Sequence, residues 1–79
     1  LLTMEEKMEE YMFLGLRLKK GISGKDFQKK FGKTVDEIYG NVITRFMKEG
    51  LLIQKGEWIS LSKKGTDVAN YVMAEFLLS

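Results

Sequence analysis

The stretch Thr34–Gly50, TVDEIYGNVITRFMKEG, carries the start, stripe and stop signals of one helix. Thr34 is an N-cap residue, and Glu37 three positions on can reach back to close a capping box. Gly50 stands where a left-handed C-terminal cap belongs. At about 100° per residue, Val35, Ile38, Tyr39, Val42, Ile43, Phe46 and Met47 share one half of the cylinder. Asp36, Glu37, Gly40, Asn41, Thr44, Arg45 and Lys48 share the other. A stripe this wide lies against a core rather than along a single partner helix.

Upstream, the spacing predicts a helix over about Met4–Lys19, with Thr3 as N-cap and Glu6 completing a second capping box. Glu5, Glu6, Glu9 and Glu10 near its start, and Arg17, Lys19 and Lys20 at its end, complement the helix dipole. Tyr11–Leu18, YMFLGLRL, is apolar nearly all round. With Met4, Met8, Tyr11 and Leu18 taken as the inward face, Phe13 projects from the opposite side near Arg17, and Leu16 lies between them. Helices apolar all round belong inside larger bodies, so a well-wrapped core helix competes with a second apolar face awaiting a neighbour domain. Gly21 ends this helix. Ser23 caps a short one over about Gly24–Phe31, anchored by Phe27 and Phe31, and Gly32 supplies the next turn.

Downstream, Leu51–Gln54 and Trp58–Leu61 flank Lys55-Gly56-Glu57 and read as a small hairpin. Ser62 then caps a final helix to about Leu77, with Val68, Ala69, Val72, Met73 and Phe76 on one side. Gly65 in its first turn fits close packing beneath the hairpin. The expected fold is α+β, mostly α: a winged helix of three helices, a two-stranded wing and a closing helix. Residues 1–79 are expected to form that single domain.

The 79 residues are 44% hydrophobic and 30% charged, ordinary for a globular fold. With no Cys there is no disulfide, thiolate metal site or cysteine nucleophile, and with no His the commonest general base is missing. No apolar run approaches the roughly 18 residues of a membrane span, and a cytoplasmic location is expected. The start at Leu1, without an initiator Met, fits a fragment of a larger chain. Overall charge is only +2, yet it is uneven. Between Arg17 and Lys33 seven cations face one carboxylate, a net +6, so the rest of the chain carries −4.

That block supports an alternative reading, a nucleic-acid-binding winged helix with Lys25, Lys29, Lys30, Arg45 and Lys48 as contacts. Against it, the third helix presents Asp36 and Glu37 at the N-terminal end that winged helices aim at the groove. The Glu5–Glu10 carboxylates lie on a solvated turn beside no His, and the Met residues fall at core spacing. No catalytic, cofactor-binding or metal-binding residue is therefore assigned. A plain protein-interaction module is the third possibility.

Glu10–Ile22, EYMFLGLRLKKGI, resembles the C-terminal domain of the oxygen-independent coproporphyrinogen III oxidase family, including its haem-chaperone-like relatives. The likeness continues through Phe27, Phe31-Gly32, Tyr39, Met47–Leu52, Leu61–Gly65 and Asn70–Phe76, covering nearly the whole chain. It implies a fragment of a radical S-adenosylmethionine protein whose upstream barrel holds a 4Fe–4S cluster and S-adenosylmethionine on a CxxxCxxC motif. That motif has no counterpart here. The resemblance implies a non-catalytic accessory domain that docks on and covers the barrel, in porphyrin biosynthesis or haem handling. Phe13, Leu16 and Arg17 are the expected docking residues. Arg17 would meet a carboxylate of the barrel or a porphyrin propionate.

Overall fold

Side-chain caps set where the helices begin. In this computed structural model, which describes residues 2–78, Thr3 and Thr34 both close capping boxes with Glu6 and Glu37. Ser23 accepts from the Asp26 N–H and Ser62 from the Gly65 N–H. The elements they start are α1 (Met4–Leu16), α2 (Gly24–Phe31), α3 (Val35–Lys48) and α4 (Lys63–Asp67). After α4 comes α5 (Ala69–Ala74), and the strands are β1 (Ile22–Ser23), β2 (Leu52–Lys55) and β3 (Trp58–Leu61). The class is the expected one, α+β and mostly α.

Three differences from the sequence reading matter. The expected two-stranded hairpin has a third member, because β1 pairs antiparallel with β3 (Ile22 opposite Ile59, Ser23 opposite Trp58), giving the order β1-β3-β2. Two residues are too few to show a strand period. Next, α1 stops at Leu16 rather than Lys19, because the following residues must turn the chain back to β1. Gly21 completes that turn at φ +86°, and a Cβ there would fall on the Ile59 carbonyl. Finally, the closing helix is broken at Val68 (φ −121°, ψ 36°) into α4 and α5.

The core is one cluster. From α3 it takes Val35, Tyr39, Ile43 and Phe46, as the stripe predicts, with Asp36, Glu37, Arg45 and Lys48 exposed. Phe27 of α2, Ile59 of β3, and Val72, Met73 and Phe76 at the end of the chain close around them. Gly65 lies under the hairpin as expected, against the Leu51 carbonyl with no room for a Cβ. The inward face of α1 is a correction. It is Met8, Met12 and Leu16, a row at i, i+4, i+8, whereas Met4 and Leu18 are exposed and Tyr11 is half-buried. A helix apolar all round has no inward face that periodicity alone can choose; the neighbours choose it.

Candidate functional site

Once Met8, Met12 and Leu16 are turned inward, α1 has apolar side chains left over. Leu14 is 61% exposed, and Leu18, in the turn beyond the helix, is 63% exposed. Both line a groove of about 950 Å³ between α1 and α2, to which Trp58 of β3 also contributes. Tyr11 and Phe31 complete its apolar wall, their rings meeting edge-to-face at 5.8 Å. Trp58 reaches the groove only because β1 draws β3 against the start of α2.

The polar groups at its base are tied to one another. The Tyr11 hydroxyl donates to Asp26 at 3.0 Å and accepts from the Ser23 N–H at 3.4 Å. The Ser23 hydroxyl donates to Glu57, which also pairs with Lys25 at 3.8 Å. Burial, reinforced by the bond to Asp26, pushes the Tyr11 phenol up to about 12. Lys7, Lys29 and Lys30 stand on the rim, with no carboxylate within ion-pair distance among the described residues. The Lys20 ammonium lies over the Trp58 ring, 4.5 Å from its centre.

The expected docking residues are not gathered on one outward face. Leu16 is only 1% exposed and belongs to the core, so its expected place on the docking surface is corrected. It could not stay outside because the four-residue spacing from Met8 through Met12 carries it inward. Phe13 is half-buried against the same core. Arg17 is exposed and lines a second cleft of about 340 Å³ with Lys19, Leu61 and Thr66, and Leu18 borders both clefts. Of the alternative nucleic-acid set, Lys25, Lys29 and Lys30 share the wall of the large groove. Arg45 is held elsewhere, by Glu75 at 2.7 Å and Glu49 at 3.7 Å, and Lys48 is exposed at the end of α3. Among the described residues no three His, Cys, Asp or Glu side chains are placed to hold a metal ion.

Residues 2–68 match the family model described as HemN C-terminal domain. The chain belongs to that family. It is 36% identical over 77 residues to the heme chaperone HemW of Lactococcus lactis subsp. lactis (strain IL1403), covering 98% of this chain and 20% of the relative. It is likewise 36% identical over 75 residues to the heme chaperone HemW of Bacillus subtilis (strain 168), covering 95% and 20%. The chain thus spans about a fifth of the length of these HemN-like relatives. No solved structure matches it significantly. No helix among the described residues is long and apolar enough to cross a membrane.

Sequence reasoning missed Leu14, Leu18, Tyr11 and Trp58 as groove residues. Surplus apolarity in YMFLGLRL was a real signal, but which residues were surplus depended on the rotation of α1.

Proposed function

We propose that residues 1–79 are one winged-helix domain at the C-terminal end of a larger, cytoplasmic radical S-adenosylmethionine protein of the coproporphyrinogen oxidase-like, haem-handling kind. The domain performs no chemistry of its own. It docks on the catalytic barrel and helps to enclose what the barrel holds, while the 4Fe–4S cluster and S-adenosylmethionine belong to the barrel. The match to a C-terminal family domain supports this reading, as do relatives called heme chaperones that are about five times as long. Arg17, exposed beside Leu18, is the candidate partner for a barrel carboxylate or a propionate.

The carrying observation is the exposure of Leu14 on α1 and of Leu18 in the turn after it, both lining one groove, while Met8, Met12 and Leu16 of α1 already fill the core. Burying a leucine fully is favourable by about 1.5–3 kcal/mol, and exposed apolar patches mark interaction surfaces. The experiment places Leu14→Ser with Leu18→Ser in the intact parent. Haem transfer or substrate turnover should fall and the domain should become more readily released by protease. The isolated chain should unfold within about 0.5 kcal/mol of the wild type, as surface changes do. A parent that keeps full activity and protease resistance would contradict the docking role.

A further inference from the structure

We infer that the groove between α1 and α2 seats an acidic segment of the remaining polypeptide. That segment inserts apolar side chains against Leu14, Leu18 and Trp58 and lays its carboxylates across Lys7, Lys29 and Lys30. This rests on the docking reading above and names its place and chemistry.

Three observations carry it. The first is the lining: Leu14, Leu18, Phe31 and Trp58 beside Lys7, Lys29 and Lys30 fit an occupant that carries both apolar and anionic groups. The second is the direction of the charges. Asp26 and Glu57 are bonded inward, to the Tyr11 and Ser23 hydroxyls and to Lys25, which leaves Glu10 as the rim's remaining carboxylate. Lys25 of α2 is paired with Glu57, whereas Lys29 and Lys30, in the same +6 stretch, have no carboxylate within ion-pair distance among the described residues. The third is scale. The groove is open to solvent along one side, whereas small-ligand sites bury about 70–90% of their ligand, so a protein surface closes it better. The relatives carry roughly four-fifths of their length outside the region matched, which supplies such a surface on the same polypeptide.

The test uses the intact parent, reading the protease cleavage rate at the junction that precedes this domain. Lys29→Glu with Lys30→Glu should speed cleavage about tenfold, the factor expected from losing roughly 1.4 kcal/mol of docking. Raising salt should bring the wild type toward that rate. Lys48→Glu with Lys63→Glu, outside the groove, should leave the rate unchanged. Wild-type cleavage in the groove variant, with release caused by Arg17→Ala instead, would overturn the groove assignment and leave docking standing. Wild-type cleavage in both would overturn docking itself. In this chain alone, where Trp58 is the sole tryptophan, a saturable change in its fluorescence on adding dodecanoate, lost in Lys29→Glu with Lys30→Glu, would assign the groove to a small apolar carboxylate and also overturn the inference.

Discussion

Tyr39 is 2% exposed, and its hydroxyl has no hydrogen-bond partner among the described residues. An unmet buried hydroxyl costs about 1–3 kcal/mol, so Tyr39→Phe should leave stability unchanged or raise it by about 1 kcal/mol in urea unfolding. A loss of that size would show that the hydroxyl is satisfied. Burial raises the Tyr39 phenol, with Glu9 and Glu5 adding to the shift, as burial and Asp26 raise that of Tyr11 to about 12 from 10.0. Above pH 10.0 the unfolded chain releases protons that the folded chain keeps, so this stability is complete below that pH. It should drain away as pH rises toward about 12, as denaturation across that window would show. Tyr11→Phe should make the fall shallower. At this scale the sequence was read best where a side chain acts locally: Thr3, Ser23, Thr34 and Ser62 all cap as expected. It was read worst at Leu16, whose inward position depends on contacts far along the chain.

Elements repeat that division. Cap chemistry and a clean half-apolar stripe made α3 legible to the residue, because both are written within it. Removing its cap, Thr34→Ala, should cost about 1 kcal/mol in thermal unfolding. Two glycines inside helices separate local propensity from tertiary demand. A Cβ at Gly40 would meet only the Asp36 Cβ, at 3.9 Å, so Gly40→Ala should stabilise the chain by up to about 1 kcal/mol. At Gly65 a Cβ would strike the Leu51 backbone, so Gly65→Ala should destabilise it by roughly 1–3 kcal/mol. Equal effects at the two sites would contradict the packing described. The strand β1 was invisible because two residues have no period, yet it brings Trp58 to the groove. The break at Val68 was equally hidden, since Val68, Val72, Met73 and Phe76 keep a helical spacing from that residue on.

For the whole molecule, charge and apolarity tell one story. The helix that shelters the core and the helix that carries the lysines form the two walls of a single groove, and neither fills it. Family membership is legible in the residues around Leu14–Arg17 alone. The groove is not, because its position depends on how α1 is rotated and on β1 pairing with β3 beside α2. The central claim is that the apolar residues α1 leaves outside are covered in the parent. Hydroxyl-radical footprinting of Leu14, Leu18 and Trp58, in this chain and in the intact parent, tests it most directly. The account predicts several-fold slower oxidation of all three in the parent, with Tyr71, exposed on α5, oxidised at the same rate in both. Equal rates at Leu14, Leu18 and Trp58 in the two proteins would contradict it.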